Sequence, residues 1–165
     1  MDLERNLIDN VLECEIKLGF DELPVILYYP KASLMELLFC SEEDLVAEIS
    51  KFRLQVRDSL GDIIIEKVSG ESDRYSVTIP SEGVRWVNAN FKPSDFIKLF
   101  IETIKSPGKK FDDIKKLFEK FSEDVIVETR EDGEKAIYFA DTSIDPYMYI
   151  IEENAFGLEY HRFIQ

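Results

Sequence analysis

Tyr147-Met148-Tyr149-Ile150-Ile151, then Asn154-Ala155-Phe156-Gly157, then Leu158-Glu159-Tyr160-His161-Arg162-Phe163-Ile164: two apolar, aromatic runs flank a short segment closed by glycine. Aromatic and β-branched residues suit a pleated, half-buried surface, so the stretch reads as a β-hairpin. Period two puts Tyr147 and Tyr149 on one side of the first strand. A turn holding four residues would set Tyr149 opposite Arg162 and Ile151 opposite Tyr160. A register shifted by one would instead bring His161 and Phe163 beside the tyrosines.

Upstream, Val125-Ile126-Val127 and Ala136-Ile137-Tyr138-Phe139 flank Glu131-Asp132-Gly133-Glu134. The Asp-Gly pair is a strong hairpin cue. Four antiparallel strands are therefore predicted. Two helices precede them. One opens at Pro93-Ser94-Asp95 and carries Phe96, Ile97, Phe100, Ile101 and Ile104; Ser106-Pro107-Gly108 breaks it. The next covers 110–121, with Phe111, Ile114, Leu117, Phe118 and Phe121 inward. Ser81 is expected to cap a short helix through Trp86 and Val87. Helices packed on an antiparallel sheet make an α+β half.

The first eighty residues read helix, strand, helix, helix, strand, strand. Leu3, Leu7, Ile8, Val11 and Leu12 mark a helix stopped by Gly19, and Val25 to Tyr29 a strand between Pro24 and Pro30. Ser33 is expected to cap a short helix, and Ser41 a longer one ending at Gly61, with Leu45, Ile49, Phe52 and Val56 as its buried stripe. Ile63-Ile64-Ile65 and Tyr75 to Ile79 flank a polar turn at Gly70 to Asp73. This order matches a winged helix. The predicted class is α+β, with a winged-helix-like half at 1–80 and helices plus a four-stranded antiparallel sheet at 81–165, either as two domains or as one compact unit.

The 34 acids and 20 bases give a net charge of −14, divided −9 and −5 between those halves. A field of that sign opposes the counterion displacement by which proteins hold phosphate backbones. The one locally basic stretch, 92–120, has eight lysines and five acids and reads as a solvated helix face. The expected third helix begins Glu42-Glu43-Asp44, where a DNA reader would meet the groove. Nucleic acid is therefore disfavoured as a partner, and a basic protein partner is favoured. Cys14 and Cys40 lie in apolar-patterned segments, which fits a reducing, cytoplasmic setting. The first residues lack a basic region followed by an apolar core, so no secretory signal is expected. No apolar run approaches a membrane span.

Leu27-Tyr28-Tyr29-Pro30, Ser33-Leu34, the stretch Arg74 to Val87 with Ile79-Pro80 and Gly83, and Tyr160-His161-Arg162-Phe163 resemble one of the bacterial families described as domains of unknown function. The resemblance spans most of the chain. It implies no activity, cofactor or catalytic residue.

The chemistry on offer is sparse. His161 is the one histidine, and Glu159 shares its strand face, so an acid–base pair is conceivable there. Neither Ser nor Cys flanks it, and no G-x-S-x-G, P-loop or G-x-G-x-x-G is present. Asp141, Thr142, Ser143 and Asp145 form an oxygen-rich loop without EF-hand spacing. No metal or cofactor is expected. Tyr147, Tyr149, Tyr160 and Arg162 would make a binding surface if they face solvent, since Tyr and Arg dominate interface hot spots; the alternative is that they form the core face. The expected function is a non-enzymatic interaction or regulatory module for a protein partner or a second copy. Alternatives are a small-molecule sensor or enzyme with a pocket between the halves, and a DNA-binding regulator, which the charge disfavours.

Overall fold

α1 (Leu3–Leu18) starts where the Asp2 carboxylate accepts the Arg5 N–H at 2.9 Å. It stops at Gly19, whose φ of 70° is the left-handed cap that glycine adopts without strain. In the computed structural model, which describes residues 2–19, 22–70, 73–130 and 133–165, the chain divides into two compact units, Met1–Pro93 and Ser94–Gln165. Glu71 and Ser72 of the expected polar turn, and Glu131 and Asp132 of the expected Asp-Gly turn, lie outside the described residues.

In the first unit, α1 is followed by β1 (Val25–Pro30), α2 (Lys31–Leu38), α3 (Leu45–Gln55), the single turn α4 (Arg57–Leu60), β2 (Ile64–Lys67), β3 (Arg74–Ile79) and α5 (Ser81–Asn90). The strands form an antiparallel sheet in the order β1-β3-β2. Leu3, Leu7 and Val11 of α1, Leu45, Ile49 and Phe52 of α3, Val77 and Ile79 of β3, and Val84 and Val87 of α5 are all buried. A polar contact sits within this core. The Tyr29 hydroxyl donates to the Asn6 side-chain oxygen at 2.6 Å, which ties β1 to α1. Gly83 lets α5 close on α4, because a Cβ there would stand 2.2 Å from the Leu60 carbonyl oxygen.

Several helix starts differ from expectation. Ser41 does not open a helix of twenty residues. Its hydroxyl donates to Asp44 at 2.8 Å and accepts the Asp44 N–H at 3.4 Å, holding a turn, and α3 begins at Leu45. Val56 then breaks the helix with ψ near 4°. Ser33 and Ser81 lie inside α2 and α5 rather than at their caps. Pro30 and Pro80 occupy those caps, their fixed φ leading straight from strand to helix. The inward stripe Leu45, Ile49, Phe52 and Val56 is buried as the spacing predicts.

The second unit runs α6 (Asp95–Lys105), α7 (Phe111–Glu119), β4 (Val125–Thr129), β5 (Lys135–Phe139), β6 (Tyr147–Asn154) and β7 (Gly157–Ile164), with an antiparallel sheet in the order β4-β5-β6-β7. The Ser94 hydroxyl accepts the Ile97 N–H at 3.2 Å and caps α6, which opens within the expected Pro93-Ser94-Asp95. The helices press a phenylalanine stripe onto the sheet. Phe96, Phe100, Phe118, Phe139 and Tyr149 are fully buried, with Phe96–Phe118 at 4.8 Å and Phe118–Phe139 at 4.7 Å between ring centroids. The fold class is α+β.

Candidate functional site

The β6–β7 register is the four-residue-turn alternative: Tyr149 lies opposite Arg162, Ile151 opposite Tyr160, and Asn154 opposite Gly157. Tyr147, Tyr149, Tyr160 and Arg162 therefore share one face. That face is turned to the helices. Tyr149 is wholly buried, its ring 4.5 Å from Phe100, and its hydroxyl donates to Asp145 Oδ1 at 3.1 Å. Tyr147 is buried too, with the Arg162 guanidinium 4.0 Å from its ring centroid. Tyr160 is half-buried, 4.9 Å from Phe100. The expected binding surface is thus corrected to a core face. The physical reason is area: the face with the largest rings removes most apolar surface from water when phenylalanine helices cover it.

His161 stands on the opposite face, exposed. Its Nε2 lies 3.2 Å from Glu152 Oε1, on the neighbouring strand. Glu159, the predicted partner, instead accepts from the Asn154 side-chain amide at 2.8 Å. Two residues along one strand are separated by about 6.6 Å of rise, so a diagonal neighbour on the next strand reaches the imidazole more easily. An exposed imidazole–carboxylate pair in water gains little from its Coulomb attraction.

Asp145, Asp141 and Glu153 are held by bonds within the chain. Asp145 is buried and accepts the Tyr147 N–H at 3.0 Å as well as the Tyr149 hydroxyl. The Ser143 hydroxyl and its N–H, the latter at 2.9 Å, hold the Asp141 carboxyl below the usual carboxylate range. Glu153 accepts the Phe111 N–H at 2.7 Å at the start of α7, which lowers its pKa. Beside it lies an open cavity of about 360 Å³, lined by Phe111, Lys135, Ile151, Glu152 and Glu153. Among the described residues, no three His, Cys, Asp or Glu side chains gather to hold a metal ion.

An exposed apolar stripe lies on the outer side of α3. Leu45, Ile49 and Phe52 point inward, while Val46 and Leu54 on the outer side are 73% and 74% exposed. Phe39, in the link before α3, is 76% exposed and has a φ of 53°, in the left-handed region that non-glycine residues rarely enter. Glu42, Glu43 and Asp44 form the acidic, exposed approach to the helix. Leu54 borders a cleft of about 290 Å³ with Ser50, Arg53, Arg57, Asp62 and Ile63. The bases here are engaged by the chain itself. Lys51 pairs with Glu48, Arg53 Nε donates to the Ile63 carbonyl at 2.9 Å, and Arg57 pairs with Asp62 at 2.9 Å. Sequence reasoning passed over Val46 and Leu54. Their signal was a second stripe, Val46, Ser50 and Leu54 at i, i+4 and i+8, beside the core stripe of the same helix.

A family model described as "Domain of unknown function, E. rectale Gene description (DUF3877)" matches residues 1–165. The chain belongs to this family. No curated protein and no solved structure matches it. The family places the whole chain, both units together, within one model. No helix among the described residues is long and apolar enough to cross a membrane.

Proposed function

We propose that this protein is a non-enzymatic interaction module, with a winged-helix-like first unit that binds a basic protein partner through the outer face of α3. The element order and the β1-β3-β2 sheet support the winged-helix reading, in which α3 takes the position of the recognition helix. The observation that carries the proposal is the chemistry of that face. It offers Val46 and Leu54 to solvent, follows an acidic approach, and holds its three bases in bonds to Glu48, Ile63 and Asp62. Glu42, Glu43, Asp44, Glu48 and Asp62 outnumber Lys51, Arg53 and Arg57 here, which disfavours a phosphate groove and suits a basic protein surface. The net charge of −14 draws such a partner in. Cys14 and Cys40 form no disulfide, which supports a cytoplasmic setting, and burial together with Glu48 and Asp44 pushes the Cys40 thiol up, away from the reactive thiolate.

The test is affinity capture from the source cell with wild type, Val46→Asp/Leu54→Asp and His161→Ala as baits. The reading requires a basic protein captured by wild type and His161→Ala and lost with the α3 double variant. Equal capture by all three baits would refute it.

A further inference from the structure

Among the described residues the two sheets have four edge strands, and one of them differs from the rest. β2 carries Glu66 and Lys67, β4 carries Glu128, and β7 carries Glu159 and Arg162. Charges of this kind blunt a sheet edge against unwanted pairing. β1, Val25-Ile26-Leu27-Tyr28-Tyr29-Pro30, has none. Ile26 and Tyr28 are 54% and 55% exposed on its outer face.

The hydrogen-bond parity of β1 follows from one contact. Lys31 N–H donates to the Asp73 carbonyl at 2.7 Å, continuing the register that pairs Pro30 with Arg74. In an antiparallel ladder, bonded and non-bonded pairs alternate. Tyr29–Tyr75, Leu27–Val77 and Val25–Ile79 are therefore the bonded pairs. Ile26 and Tyr28 aim their N–H and C=O groups away from β3, at the open edge. The other side of β3 agrees: Val68 N–H donates to the Arg74 carbonyl at 2.9 Å, so β3 residues of the opposite parity serve β2.

We propose that the β1 edge pairs with β1 of a second copy, antiparallel about a two-fold axis at Leu27, joining two three-stranded sheets into one. The strand is complementary to itself in that register. Ile26 faces Tyr28 of the partner copy, and each gives its outward N–H to the other's carbonyl. Leu27 faces Leu27. Pro24 faces Pro30, and neither has an N–H, so no amide donor is stranded at either end of the new ladder. The outer face gains two β-branched–aromatic cross-strand pairs from Ile26 and Tyr28. Within the ladder no carboxylate meets another, although each chain carries −14 overall.

Sedimentation velocity on the full chain across the micromolar range tests this. The expected species is a dimer of the 19.2 kDa chain. Ile26→Pro removes an N–H that bonds nothing within its own sheet, so it should yield a folded monomer with an unchanged far-ultraviolet circular dichroism spectrum. A second variant guards against misfolding. In a Cys14→Ser/Cys40→Ser background, Leu27→Cys should form an intermolecular disulfide on mild oxidation, and Tyr28→Cys should not. A monomeric wild type, a dimer that survives Ile26→Pro, or Tyr28→Cys cross-linking as readily as Leu27→Cys would each overturn the proposal.

Discussion

Tyr149 donates its phenol proton to Asp145 across 3.1 Å inside the core of the second unit. The two residues are four apart, and the same carboxylate oxygen also takes the Tyr147 N–H. The contact fixes which face of the C-terminal sheet is closed, because it seats the Tyr149 ring among Phe96, Phe100 and Phe118.

Truncation of that ring separates packing from binding. Tyr149→Ala should lose about 3–5 kcal/mol of unfolding free energy, as buried aromatic truncations do. Tyr149→Phe keeps the packing and strips one donor from a buried carboxylate, at a cost of about 1–3 kcal/mol. Urea denaturation of both variants measures this, and an unchanged midpoint for Tyr149→Ala would mean the face is open.

Phe52 and Lys51 are consecutive residues of α3, the first buried and the second exposed. Phe52→Ala should cost about 3–5 kcal/mol. Lys51→Ala removes an exposed pair with Glu48 and should lie within about 0.5 kcal/mol of wild type. Similar small effects for both would place the helix face wrongly.

Gly83→Ala tests the approach of α5 to α4. The added methyl would meet the Leu60 carbonyl at 2.2 Å, so backbone must move. A loss of about 1–3 kcal/mol is expected, the usual scale of overpacking. A neutral or stabilising change would show that the two helices separate without cost.

Acid stability should depend on Glu153. Its pKa is lowered first by the Phe111 N–H, with Lys110 and Lys135 adding to the effect. A depressed folded pKa gives stability that is present above the unfolded value, about 4.3 for glutamate, and is lost as pH falls through the lower folded value. Glu153→Gln should therefore lower the thermal midpoint at neutral pH and converge on wild type in acid. Parallel curves at every pH would contradict the linkage.

Much of the fold was legible because its signals are local. The Phe96 to Ile104 stripe, the helix opening at Pro93-Ser94-Asp95 and the stop at Gly19 all follow from spacing and turn chemistry, while spacing leaves two β6–β7 registers open. Helix starts at Lys31, Leu45 and Ser81 were not, because prolines and a Ser41–Asp44 turn set them through backbone geometry that a cap rule does not see. The site was harder. A period-two pattern says that Tyr147 and Tyr149 share a face, yet only packing says which face meets the helices. His161 found Glu152 rather than Glu159 because cross-strand neighbours are set by register. The outward Val46 and Leu54 were hidden by the stronger core stripe on the same helix.

The outer face of α3 should ignore nucleic acid. Fluorescence anisotropy with mixed-sequence duplexes at about 150 mM salt should show no binding in the range of roughly 10⁻⁴–10⁻⁶ M typical of non-specific DNA binders. Micromolar binding with a steep salt dependence would return α3 to a DNA-reading role.

The most direct measurement is photo-cross-linking in the source cell with a photoreactive residue in place of Leu54, and in place of His161 as control. The account predicts an adduct from position 54 with a basic protein, absent from position 161 and absent when Val46→Asp is added. An adduct with nucleic acid, an adduct with a second copy of the chain, or no adduct at position 54 would contradict it.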